Sequence, residues 1–219
     1  MYLFWIFFVL VSLPILVCVP TKIYGKKNFE KKKSYIIASN HQSNFDPIIL
    51  NFYLGKRIRF IAKKELFGKN GKSFFFDNIL GCIPVDRSKG LTITETKKIY
   101  AILKDKQCLG LFPEGTRVSE ENNNTMEAKN GACLFSIKTK TPILPCCIYK
   151  KQKVFRKNIL LIGKPFELTE FYDKKLDKDA LNEASNILID KISGLRKDYE
   201  DFLKEKELIK SIKKNKSKD

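Results

Sequence analysis

The first twenty residues, Met1 to Pro20 (MYLFWIFFVLVSLPILVCVP), contain no charged side chain and only Tyr2 and Ser12 as hydroxyls. A stretch this apolar must leave water, either in a bilayer, whose hydrocarbon core takes about 20 helical residues, or against a protein core. A cleaved secretory leader opens on a basic segment and closes on small residues. Neither is present, so residues 1–20 are expected to be kept as a hydrophobic membrane anchor. Lys22, Lys26, Lys27 and Lys31 to Lys33 follow directly. Basic residues behind an apolar span favour the cytoplasmic side and face anionic lipid, which places the rest of the chain at the cell membrane, on its cytoplasmic face. Pro14 and the marginal length leave open a bent insertion that never crosses the bilayer, and a buried first core helix is a third possibility.

Beyond the anchor, short apolar runs alternate with amphipathic stretches. Tyr35 to Ala38, Arg59 to Ala62, Gly81 to Val85, Cys108 to Phe112, Ile143 to Tyr149 and Ile159 to Ile162 read as strands. Helical patterns follow Asp46-Pro47 and run from Thr92 to Leu103 and from Ala128 to Lys138. Pro47 suits a first helical position and Asp46 its cap. Strands alternating with helices imply an α/β sheet. From Asp177 a long amphipathic helix is expected, with Leu181, Ala184, Leu188, Ile192, Leu195, Tyr199 and Phe202 at three- and four-residue intervals. The lysine-rich end, residues 204–219, is expected to fray, stay disordered or lie on lipid. Asn122 to Asn124 marks a surface loop. A chain of 219 residues, 43% of them hydrophobic, accommodates one core with small appendages.

The formal net charge of +18 favours polyanions in general, whether nucleic acid or anionic lipid headgroups. No aromatic-basic motif of an RNA-binding sheet accompanies it, so no nucleic-acid partner is expected. The six cysteines lack the paired spacings of a zinc or redox motif, and Cys82, Cys108, Cys133, Cys146 and Cys147 are expected in the core.

His41 is the only histidine, which excludes a metal site built on several histidines, and no metal is expected. It stands five positions before Asp46 in Asn40-His41-Gln42-Ser43-Asn44-Phe45-Asp46. An imidazole can accept a proton from an alcohol at neutral pH, and a carboxylate on its other nitrogen fixes the tautomer. A loop histidine beside a helix cap would look the same. In Phe112-Pro113-Glu114-Gly115-Thr116-Arg117 an apolar strand runs into a carboxylate, a glycine and an arginine. Arginine's planar fork suits a phosphate, with Gly115 allowing close approach and Glu114 holding the guanidinium. A structural ion pair is the alternative.

Together these segments resemble the ordered blocks of the glycerolipid acyltransferases of the bacterial lysophosphatidic acid acyltransferase type. Asn40 to Asp46 is similar to that family's NHxxxxD block, Gly81 to Arg87 to its second, Phe112 to Arg117 to its third and Thr141 to Pro145 to its fourth. Ala62 to Leu66, containing Lys63, and Lys129-Asn130-Gly131 are smaller matches. Pro84 and Val118 depart from common family residues. The matching span, Tyr24 to Phe166, is about two-thirds of the chain.

The resemblance implies a central mixed β-sheet flanked by helices, with residues 21–203 as the acyltransferase catalytic domain. It implies acyl transfer from acyl-CoA or acyl carrier protein (acyl-ACP) to the sn-2 hydroxyl of 1-acyl-glycerol 3-phosphate, with no other cofactor and with the lipid bilayer as a partner. His41 would be the general base and Asp46 its orienting partner. Arg117, Arg87 and Lys63 would bind the substrate phosphate alongside Glu114, Gly115 and Thr116. Glycerol 3-phosphate or another lysophospholipid is the alternative acceptor. Two other classes remain: a membrane-tethered polyanion binder without catalysis, and a hydrolase using Ser39, Ser43 or a cysteine as nucleophile.

Overall fold

The computed structural model of the chain describes residues 2–67, 81–86, 91–113 and 126–216. The strands are β1 (Thr21–Tyr24) and, from the six apolar runs, β2 (Ile36–Ser39), β3 (Ile58–Lys63), β4 (Ile83–Val85), β5 (Cys108–Leu111), β6 (Ile143–Ile148) and β7 (Asn158–Ile162). They form one seven-stranded sheet in the order β1-β7-β6-β2-β5-β3-β4. Neighbours are parallel except β6 and β7, so the sheet is mixed. The helices are α1 (Tyr2–Cys18), α2 (Asp46–Leu54), α3 (Ile93–Lys104), α4 (Met126–Thr139) and α5 (Lys178–Lys216).

Successive strand side chains point to opposite faces, and the sheet is buried on both. Ile36 and Ala38 of β2 join Ile143 and Cys147 of β6 in a core with α3, α4 and α5. Ile37 joins Leu144, Cys146 and Ile148 in a second core, closed by Phe8 of α1 and by Ile48, Ile49 and Leu50 of α2. All five cysteines assigned to the core are buried. At Gly110 of β5 an added Cβ would lie 2.4 Å from the Phe60 ring, so the bare backbone there makes room for that aromatic.

Three helix ends have a clear local cause. Thr92 and Glu95 form a reciprocal capping box on α3, with Thr92 Oγ1 accepting from the Glu95 amide and Glu95 Oε2 from the Thr92 amide. Gly55 ends α2 in the left-handed region (φ 61°), its amide donating to Asn51 and Phe52 carbonyls. Asp177 caps α5 by accepting from the Ala180 amide at 2.9 Å.

Three features add to the sequence reading. β1 is a strand that the sequence pattern did not reveal; it pairs with β7 at the sheet edge, and its Thr21 amide donates to the Tyr53 hydroxyl of α2. α5 continues through residues 204–216 to Lys216, a stretch mostly of Lys, Glu and Leu without Gly or Pro, and whether this end lies on lipid is a separate matter. The apolar N-terminal segment forms a 17-residue helix, about 25 Å long at 1.5 Å per residue. Phe8, Leu16 and Val19 of this segment are buried against the domain while Leu10, Leu13 and Val17 are exposed. No helix among the described residues is long and apolar enough to cross a membrane.

Candidate active site

In parallel sheets, ligand sites gather beyond the carboxyl ends of the strands. β2 ends there at Ser39, β3 at Lys63, β4 at Val85 and β5 at Leu111. The chain leaves β2 through Asn40, a buried side chain whose amide spans to β6. Its Nδ2 donates to the Ile148 carbonyl at 2.9 Å, and its Oδ1 accepts from the Ile148 amide at 2.7 Å. The backbone that carries His41 is thereby tied to the centre of the sheet.

Asp46 does not cap α2 as expected. Phe45 occupies the cap position without a side-chain cap, and Asp46 is the first helical residue. Its carboxylate turns back over the preceding loop instead. Oδ2 accepts from the Gln42 amide at 2.7 Å and the Ser43 amide at 2.8 Å, and lies 2.8 Å from His41 Nδ1. Oδ1 accepts from Gln152 Nε2 at 2.6 Å. The Asp46 side chain is wholly buried and that of His41 is 16% exposed. Both oxygens of the carboxylate are thus engaged by polar partners. A carboxylate oxygen accepts, so a proton on Nδ1 facing Asp46 leaves Nε2 as the ring's acceptor in the neutral tautomer.

The imidazole plane is fixed from a second direction. Phe112, just after β5, stacks on His41 with centroids 4.1 Å apart and planes 15° from parallel. Phe60 of β3 stacks on Phe112 in turn, at 5.3 Å and 14°. The Gly110 opening that admits Phe60 is thus linked to the histidine through two rings. With two contacts on its face and edge, the ring has little freedom left, which is the preorganisation a general base needs.

Beside this loop lies a cleft of about 220 Å³. Asn40, Gln42, Pro113 and Cys147 line one side, and Ile192 and Arg196 of α5 the other. Lys63 stands exposed at the end of β3. Arg87, Glu114, Gly115, Thr116, Arg117 and Asn122 to Asn124 lie outside the described residues.

Several of the other nucleophiles are buried or already hydrogen-bonded. Ser39 is buried, and Ser43 Oγ accepts from the Phe45 amide. Burial pushes the Cys133 thiol up to about 11 and raises Cys108 and Cys146 as well, so these thiols stay protonated at neutral pH. Gln152 and Arg196 were not singled out in the sequence. Gln152 is embedded in a lysine run, and Arg196 lies beside the apolar stripe of its helix, where a charged residue reads as solvated surface.

Comparisons with known proteins point to one family and one fold. Residues 20–149 match the family model described as Acyltransferase. The chain is 30% identical over 177 residues to 1-acyl-sn-glycerol-3-phosphate acyltransferase of Bacillus subtilis, covering 75% of this chain and 84% of that protein. It is 31% identical to the protein of the same name from Borreliella burgdorferi, covering 63% of this chain and 54% of that one. The crystal structure of 1-acyl-sn-glycerophosphate acyltransferase from Thermotoga maritima superposes with a TM-score of 0.61 at 20% identity. That match covers 84% of this chain and 73% of the other, and it supports the fold.

Proposed function

The chain belongs to the acyltransferase family that includes the 1-acyl-sn-glycerol-3-phosphate acyltransferases, and we propose that it moves a fatty acyl group from acyl-CoA or acyl-ACP to the sn-2 hydroxyl of 1-acyl-glycerol 3-phosphate, giving phosphatidic acid. The observation that carries this reading is the buried Asp46 carboxylate 2.8 Å from His41 Nδ1, in a loop whose Asn40 and Gln42 line a cleft beyond the strand ends.

In this mechanism His41 Nε2 takes the proton of the acceptor hydroxyl as that oxygen attacks the thioester carbonyl. The tetrahedral intermediate collapses with loss of the thiolate, and the proton held by His41 passes to the departing sulfur. Asp46 keeps the ring in the reactive tautomer and stabilises the imidazolium. No acyl-enzyme forms. Arg117, with Arg87 and Lys63, binds the acceptor phosphate, an assignment that rests on residue type and on resemblance to the family's blocks.

Membrane association is part of the same reading. Leu10, Leu13 and Val17 of α1 are exposed, as are Val154 and Phe155 in the β6–β7 loop. The two groups adjoin, since the Phe155 amide donates to the Cys18 carbonyl at 2.6 Å. A helix packed by one face and apolar on the other suits lying in the surface of one leaflet, with the surrounding lysines facing anionic headgroups.

The test offers purified protein acyl-CoA or acyl-ACP together with 1-acyl-glycerol 3-phosphate, glycerol 3-phosphate or other lysophospholipids, and identifies products by mass spectrometry. Phosphatidic acid from the first acceptor, at a kcat/KM well above the others, is the expected result. Preference for glycerol 3-phosphate or another lysophospholipid would overturn the acceptor assignment while leaving the reaction class intact.

A further inference from the structure

We propose that Gln152 is a positioning residue for the His41–Asp46 pair, presented by the β6–β7 loop as a neutral donor to the second oxygen of Asp46. It lies outside residues 20–149, the span matched by the family model. Its Nε2 is 2.6 Å from Asp46 Oδ1, the oxygen that none of the donors from the His41 loop reaches. With Oδ2 held by the loop and Oδ1 by Gln152, the carboxylate plane cannot turn about its last torsion. That plane sets the direction in which His41 is held.

The loop behind Gln152 is built to stay in place. Asn158, a buried side chain at the start of β7, accepts from the Lys153 amide at 3.0 Å. Its Nδ2 lies within hydrogen-bond distance of the Arg156, Lys153 and Pro20 carbonyls. The Asn158 amide itself donates to the Pro20 carbonyl at 2.8 Å, and the Phe155 amide to that of Cys18. One asparagine therefore closes the loop on itself and on the exit of α1, and Gln152 projects from this frame.

The chemical identity of the residue matters. Gln152 is the one uncharged side chain in Lys150-Lys151-Gln152-Lys153. An ammonium on Asp46 would spend part of the carboxylate's charge in the ground state and oppose the imidazolium that forms as His41 takes its proton. A carboxamide fixes the same oxygen and leaves that charge for the histidine. Gln152 Oε1, meanwhile, is buried without a hydrogen-bond donor among the described residues. Packing alone would favour an apolar side chain over an amide with an unsatisfied oxygen.

His41 is the chain's only histidine, so its imidazole resonances can be followed by NMR without assignment, whether or not the acyl-transfer reading holds. The experiment titrates His41 in the full-length wild type, Gln152→Glu and Gln152→Lys, with melting curves to confirm folding. The midpoint should rise in Gln152→Glu and fall in Gln152→Lys, each by about half a pH unit or more. Under the proposed function, the acid limb of the kcat/KM profile should move in the same two directions. Gln152→Ala should lower kcat about 10- to 100-fold, with both KM values within about twofold of wild type. Folded variants whose His41 midpoints coincide with wild type would overturn the proposal and reduce Gln152 to a packing residue. Opposite shifts in the two variants, together with a wild type that acylates nothing, would sustain the proposal and count against the proposed function alone.

Discussion

The two oxygens of Asp46 are held in different ways. Oδ2 is served from within five residues, by the amides of Gln42 and Ser43 and by His41 Nδ1. Oδ1 is served by Gln152, 106 residues away in sequence. The near half is a property of one loop between a strand and a helix. The far half exists only because β6 and β7 return to the same edge of the sheet and Asn158 freezes the connection between them. A catalytic pair can thus be written in a short motif while its rigidity is supplied from elsewhere in the fold.

The comparison can be broken most severely at the carboxylate. Asp46→Asn keeps the shape but removes the charge that stabilises the imidazolium, and its amide can drive His41 into the wrong tautomer. It should lower kcat about 10²- to 10⁴-fold; a loss under tenfold in steady-state assays would contradict Asp46 as the orienting partner. A smaller effect is expected from Asn158→Ala, which opens the loop that carries Gln152. It should cost about 1–3 kcal/mol of stability in denaturant unfolding, with a several-fold drop in kcat; unchanged stability and rate would show that the loop needs no clamp. The smallest effect sharpens the comparison most. If Gln152 acts through Asp46, then adding Gln152→Ala to Asp46→Asn should change kcat by no more than about twofold, because the group through which it works is already gone. Full additivity of the two losses in this double-mutant cycle would mean that Gln152 acts by another route.

The same division between near and far explains what the sequence disclosed. His41 and Asp46 stand in one short segment, and the strands on which they depend are recognisable as apolar runs. β2, β3, β5 and β6 are found within a residue or two of where the pattern puts them. β1 was invisible because Thr21-Lys22-Ile23-Tyr24 is short and stands among lysines. It is a strand by virtue of pairing with β7, a partner far away in the chain. Asp46 has the right composition and position for a helix cap, and only the fold of the loop shows its carboxylate reaching backwards. Gln152 carries no pattern at all, since a single glutamine in a lysine run looks like solvated surface. The stacking of Phe112 on His41 was equally hidden, because it joins the ends of two strands that are neighbours only in the sheet.

The most direct test of the central claim, that His41 is the general base of an acyl transfer, compares wild type with His41→Ala in the presence of acyl-CoA or acyl-ACP and 1-acyl-glycerol 3-phosphate, with products resolved by mass spectrometry. The account predicts phosphatidic acid from the wild type and a rate lower by at least about 10²-fold from the variant, with melting curves showing both proteins folded. A folded His41→Ala protein that forms phosphatidic acid within a few-fold of the wild-type rate would contradict it.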